Sequence, residues 1–167
     1  MNPGQAADVL SVLPVADSED IINLLNPDNA HKVKAIIDHQ EENILDFITS
    51  EFLMFSPDDI VEKVQDEYRI SARGKDVAMY LYIVDANKKM LGVVDIKELL
   101  MAKNNSRLKD IMTENIVAIE STDTLREAYN CFVRYNFRAL PVINEKERIL
   151  GVVTYRDIIG LKHYFVD

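Results

Sequence analysis

Apolar positions along the chain follow one spacing up to about residue 46 and another after it. In the first stretch, Leu13-Pro14 and Asn26-Pro27 each place a proline where the first turn of a new helix accepts one. Ile21, Ile22, Leu24 and Leu25 follow the first proline, and Val33, Ile36 and Ile37 the second. Each set predicts one apolar stripe on a short helix. Helices this short do not stand alone, so they are expected to stack on one another or on a neighbour.

From residue 47 short apolar runs alternate with helical stripes, and the whole pattern is then written a second time. Phe47–Phe55 aligns with Ile111–Ile119 at an offset of 64 residues. Leu81–Asp85 aligns with Leu140–Asn144, and Gly92 with Gly151, at an offset of 59. The first copy therefore holds five extra residues, placed near Ser71–Asp76. Each copy reads as strand, helix, strand, polar turn, strand, helix. The helices are Asp59–Tyr68 and Thr124–Tyr135, with shorter ones around Leu99-Leu100 and Ile158-Ile159. Asp85–Lys89 and Asn144–Arg148 read as hairpin turns. One such unit leaves a sheet face bare, and two related by a pseudo-twofold axis cover each other.

Composition narrows the classes of function. Net charge is −9, which argues against a nucleic-acid partner. Residues 1–46 carry nine acids against Lys32 and Lys34, so the acidity sits on the helical segment, and the remainder is near balance. The reading is either an ordinary solvated face or a surface that repels a neighbour until divalent cations neutralise it. A single cysteine, Cys131, excludes an internal disulfide and fits a reducing compartment. No apolar run approaches the ~20 residues of a membrane span and no signal peptide heads the chain, so direct membrane insertion is not expected.

No catalytic set is visible. His31, His39 and His163 are scattered, Cys131 beside Phe132 reads as a small core residue, and phosphate-binding glycine loops and nucleophile elbows are lacking. The chemistry worth asking about is in the repeated phrase, Gly-Val-Val-Asp95-Ile-Lys-Glu98 and Gly-Val-Val-Thr154-Tyr-Arg-Asp157. Both phrases make good helix starts, with an N-cap side chain answered by an acid three residues on. The same helix end also attracts anions. Both readings remain open at each site.

The β-α-β-β-α unit ending in Gly-Val-Val-x-x-x-Asp/Glu resembles a CBS domain, and the tandem over residues ~47–162 resembles a CBS pair (Bateman module). The expected fold is α+β (α/β), with a helical segment at 1–46, CBS domain 1 at 47–106 and CBS domain 2 at 107–167. The helical segment resembles the end of the N domain of MgtE-type magnesium transporters. Glu41-Glu42 just ahead of the first unit, the insertion confined to the first unit, Tyr80–Asp85 and Tyr135-Asn136-Phe137 all resemble that family. The chain departs from it at Asn136 and Gly160, where acids are common.

The resemblance implies an adenine nucleotide, ATP or AMP. Thr154 and Asp157 would meet phosphate and ribose, with Ile116, Val117 and Pro141 beside the base. Tyr80, Asp95, Lys97, Glu98 and Phe137 match the family's other nucleotide position. The carboxylate of Asp95 where its partner phrase has Thr154 predicts unequal sites, with Thr154 holding phosphate better unless Mg²⁺ accompanies it. Mg²⁺ takes oxygen ligands, and the candidates are Asp38, Glu41 and Glu42 on the acidic helical segment, with Asp157 by the resemblance. The implied function is a non-catalytic cytoplasmic regulatory module, on the cytoplasmic face of the inner membrane if it serves a transporter. It would act as a homodimer through the CBS helices and contact the parent's transmembrane domain. The competing expectation is a nucleotide-sensing pair that controls an enzyme or other partner with no metal role; a third is a purely structural dimerisation module.

Overall fold

The computed structural model describes residues 2–162, with side chains through 159. His163 lies outside the described residues. Three helices open the chain: α1 (Pro3–Leu10), α2 (Val15–Asn23) and α3 (Pro27–Gln40). Asn2 caps α1 and Asn26 caps α3, each accepting from a backbone amide three residues on at 2.9 Å, and each helix has proline in its first turn. Ala6, Ala7, Leu10, Ile22, Val33 and Ile36 form the small core of this bundle. The apolar stripe expected after Pro14 is narrower than the sequence suggests. Helix α2 ends at Asn23, so Leu24 is a cap residue and is 85% exposed, while Ile22 alone of that helix is buried.

A one-turn 3-10 segment, Ile44–Phe47, leads into the repeat. The first half comprises β1 (Phe52–Phe55), α4 (Val61–Ser71), β2 (Val77–Val84), β3 (Met90–Asp95) and α5 (Ile96–Met101). A short helix, α6 (Leu108–Ile111), precedes β4 (Ile119–Glu120), α7 (Leu125–Tyr135), β5 (Ala139–Ile143), β6 (Ile149–Thr154) and α8 (Tyr155–Lys162). Each half builds one three-stranded sheet, β1-β2-β3 and β4-β5-β6, with the first pair parallel and the second antiparallel. Of the five extra residues of the first half, two lengthen the turn after α4, where Gly74 takes a φ of 74°, and three lengthen β2 at its start.

Strand alternation separates two faces. Leu81, Ile83 and Val94 point toward the helices of their own half, joining Val61, Val64 and Leu99. Leu140, Val142 and Val153 do the same with Phe132 and Ala128. The opposite faces meet between the sheets, where Val77, Tyr82 and Met90 pack with Ala139, Ile149 and Val152. Hairpin tips also pair across the axis: Met90 N donates to Glu147 O at 2.9 Å, Ile149 N donates to Lys88 O at 3.0 Å, and Lys89 bridges Glu147 at 2.8 Å.

The segments ahead of the first strands cross over. Thr49 pairs with Val152 of the second sheet, and Thr113 pairs with Val93 of the first. Ile44, Phe47 and Ile48 accordingly pack in the second core, while Leu108, Ile111 and Met112 pack in the first. Gly92 and Gly151 make these crossings possible. A Cβ on Gly151 would stand 2.8 Å from Ile48 Cδ1 and 2.9 Å from Ile48 Cβ; one on Gly92 would stand 2.6 Å from Met112 Sδ. Gly151→Ala is therefore expected to destabilise the fold by about 1–3 kcal/mol through overpacking against a stiff β-branched side chain. Gly92→Ala is expected to cost less, because methionine can move. Urea denaturation of the two variants checks the order, and equal losses would refute it.

Candidate functional site

Two clefts open where the sheets meet. The first, about 290 Å³, lies at the start of α5. Asp95 is the N-cap of that helix: its Oδ1 accepts from Lys97 N at 2.7 Å, and Glu98 Oε2 accepts from Asp95 N at 3.0 Å. The capping-box reading of this phrase is thus realised, and both carboxylates also line the cleft. Among the described ion pairs, none involves Asp95 or Glu98. Tyr80 and Phe137 form an aromatic wall, their centroids 6.3 Å apart with the rings near perpendicular. Ile116, Val117, Leu140 and Pro141 supply apolar surface. Lys97 is exposed and is not among the lining residues.

The second cleft, about 710 Å³, lies at the start of α8. Thr154 Oγ1 donates to Asp157 Oδ2 at 2.7 Å and accepts from Asp157 N at 3.1 Å, so this phrase also caps its helix. Asp76, Arg138 and Arg156 line the same cleft. Its two guanidinium groups balance its two carboxylates, whereas the Asp95 cleft carries two carboxylates and no cation. Phe137 and Ala139 belong to both walls, so the clefts are neighbours.

The grouping of nucleotide-site residues differs from the sequence-based expectation in two respects, the first being Lys97, which does not line the Asp95 cleft. Ile116, Val117 and Pro141 line the Asp95 cleft rather than the Thr154 cleft. For Ile116 and Val117 the cause is the crossing described above, the Thr113–Val93 pairing carrying residues 113–117 to the first sheet; Pro141, which in β5 stands opposite Val152, lies on the face between the sheets. Sequence reasoning did not single out Tyr82, Arg138, Arg156 or Asp76. Tyr82 was detectable as the same-face neighbour of Tyr80 in a strand. Asp76 comes from the insertion, whose path no periodicity predicts.

Asp38, Glu41, Glu42 and Asp157 are not brought together. Glu41 Oε1 pairs with Arg126 Nη2 at 2.9 Å, and Glu42 Oε1 meets His39 Nδ1 at 2.5 Å. Asp38 is exposed on α3, and Asp157 is held by Thr154. Among the described residues no group of three or more His, Cys, Asp or Glu could hold a metal ion. Arg126 also donates from Nη1 to Ser11 O at 2.9 Å, so the helical bundle rests on α7 across a seam enclosing about 360 Å³. Cys131 is half-buried, and that burial raises its thiol pKa, which suits a packing role.

The class follows from these features. Residues 108–164 match the CBS-domain family model, and with its paired, mutually covering sheets the chain has the fold of a CBS pair preceded by helices. It resembles the magnesium transporter MgtE of Thermus thermophilus, at 27% identity over 139 residues, covering 83% of this chain and 31% of that protein. Its fold matches the cytosolic domain of the Mg²⁺ channel MgtE solved in complex with ATP, with a TM-score of 0.70 and 25% identity, covering 96% of this chain and 66% of that one. It is also similar to the inosine-5'-monophosphate dehydrogenase of Korarchaeum cryptofilum, at 33% identity over 113 residues, covering 67% of this chain and 22% of the relative. The chain thus spans about a third or less of the length of these curated relatives. Among the described residues, no helix is long and apolar enough to cross a membrane.

Proposed function

We propose that this chain is the cytoplasmic regulatory module of an MgtE-like magnesium transporter and that it binds an adenine nucleotide, ATP or AMP, in the Asp95 cleft. The observation that carries this reading is one cleft joining an aromatic wall, Tyr80 and Phe137, to a pair of capping carboxylates. A flat base fits the wall, and Glu98 and Asp95 accept hydrogen bonds from sugar hydroxyls. Two carboxylates at that end disfavour bare phosphate, so Mg²⁺ accompanies the nucleotide there. The Thr154 cleft, with Arg138 and Arg156, suits phosphate without metal. The likeness to MgtE-type proteins supports a transmembrane partner. Exposed Ile70, Leu100, Met101 and Val133 on α4, α5 and α7 support a homodimer through the CBS helices.

Calorimetry with ATP, with and without Mg²⁺, tests the nucleotide. Thr154→Ala is expected to weaken Mg²⁺-free ATP about fivefold to tenfold, the loss of one hydrogen bond to a charged group. Absence of any ATP or AMP binding by the unaltered chain would sink the reading. Thermal denaturation with millimolar Mg²⁺, against Ca²⁺ and sodium chloride at equal ionic strength, tests the metal. A specific Mg²⁺ shift supports transporter regulation. Its absence alongside nucleotide binding supports the second reading, a nucleotide-sensing pair that governs an enzyme, which the likeness to the dehydrogenase favours.

A further inference from the structure

Ile22 is the one buried residue of α2, and it holds that helix to the bundle. At 3.6 residues per turn, Asp17, Asp20, Ile21 and Leu24 fall on a single stripe, on the far side of the helix from Ile22. Leu24 belongs to the stripe because the cap keeps helical angles, with φ −82° and ψ −12°. All four side chains are exposed, Leu24 by 85%. Val12, Leu13 and Val15 are exposed as well, at the start of the same helix. Single apolar residues on a surface need no explanation, but a gathering of them on one helix does.

Charge selects among the surfaces that could cover this stripe. Helix α2 carries Asp17, Glu19 and Asp20, and the chain has no lysine or arginine before Lys32. Among the described ion pairs, none involves these three acids. A second copy of the same face would bring like charges together. An anionic membrane surface would be repelled, and helices that lie on membranes carry Lys and Arg on their polar face, which α2 lacks. A helix with apolar residues at matching spacing and Lys or Arg beside them satisfies both halves of the stripe. Ile21 and Leu24 then leave water, and Asp17 and Asp20 each gain a cation.

We infer that the outer stripe of α2, formed by Asp17, Asp20, Ile21 and Leu24, is a docking surface for a basic amphipathic helix of a partner protein. None of the four lines either nucleotide cleft, so the inference does not depend on the nucleotide reading. The probe is a helix-forming peptide of leucine and lysine, about 14 residues or four turns long, with a control in which glutamate replaces lysine. Fluorescence anisotropy reads the binding of each to the full chain, at low and at high salt. Leu24→Ser removes apolar surface and keeps the charge, and the pair Asp17→Asn with Asp20→Asn does the reverse.

The lysine peptide is expected to bind and the glutamate peptide is not. Leu24→Ser is expected to weaken binding about tenfold, and the asparagine pair about fivefold at low salt with a smaller loss at high salt. Both substitutions sit at exposed positions, so melting temperatures are expected to stay equal. Failure of the lysine peptide to bind overturns the inference. So does binding that Leu24→Ser leaves unchanged, which is charge attraction alone, and so does a melting temperature lowered by Leu24→Ser, which assigns that side chain to the fold. Sedimentation of the chain by itself and flotation with phosphatidylserine vesicles cover the other occupants. A dimer or a vesicle association that Leu24→Ser abolishes gives the stripe to a second copy or to the membrane, and overturns the inference too.

Discussion

Replacing Asp95 with serine is expected to strengthen binding of Mg²⁺-free ATP by up to about two orders of magnitude. Serine is as good an N-cap as aspartate, so the 2.7 Å bond that closes the start of α5 is retained in kind and the fold is undisturbed. What changes is charge. A carboxylate ~5 Å from a phosphate charge repels it by about 3 kcal/mol at an effective dielectric of ~20, which corresponds to roughly a hundredfold in affinity. No cation lines the Asp95 cleft to offset this, because Lys97 faces solvent. Mg²⁺ on the nucleotide would offset it, so the gain should shrink when Mg²⁺ is present, and should also shrink as salt rises. Calorimetry in both conditions reads the effect. If Asp95→Ser and the unaltered chain bind Mg²⁺-free ATP equally well, the phosphate does not lie near this helix end.

Much of this arrangement was legible beforehand, and what was not has a common cause. The repeated offsets of 64 and 59 located the halves, the insertion and the turns, because side-chain period and turn chemistry are local properties. Asp85 and Asn144 do what such turn residues do, each accepting two backbone amides within its own turn. Which sheet a segment joins is not local. Phe47-Ile48-Thr49 and Ile111-Met112-Thr113 show the same apolar pattern whether they stay in their own half or cross, and only the assembled pair shows that they cross. That crossing moved Ile116 and Val117 from one cleft to the other. The acids of the helical segment were legible as acids, but not their partners, since Arg126, which pairs with Glu41, arrives from α7, far away in sequence.

The crossing also fixes how the helical bundle is attached, and the largest expected loss of stability follows from it. Ile44 is fully buried in the second core, beside Leu125, Ala128 and Phe132. Its amide donates to Asp123 O at 3.0 Å, Leu125 N donates to Glu42 O at 2.9 Å, and Asn43 Nδ2 donates to Ser121 O at 3.1 Å. Ile44→Ala is expected to cost about 2–5 kcal/mol, the transfer and cavity cost of a buried isoleucine. Arg126→Ala removes a partly exposed ion pair with Glu41 and a hydrogen bond to Ser11 O, together worth about 1–2 kcal/mol. Urea denaturation of both variants separates these values, and limited proteolysis of α1–α3 reports whether the bundle has come away. If Arg126→Ala destabilised the protein as much as Ile44→Ala, the seam would be a rigid joint. The expected outcome is a firm anchor at Ile44 and a weak, hollow seam at Arg126, which leaves the bundle free to change its contact with α7 at little cost. A cation can then shift its position only to the extent that it binds the docked and undocked states differently.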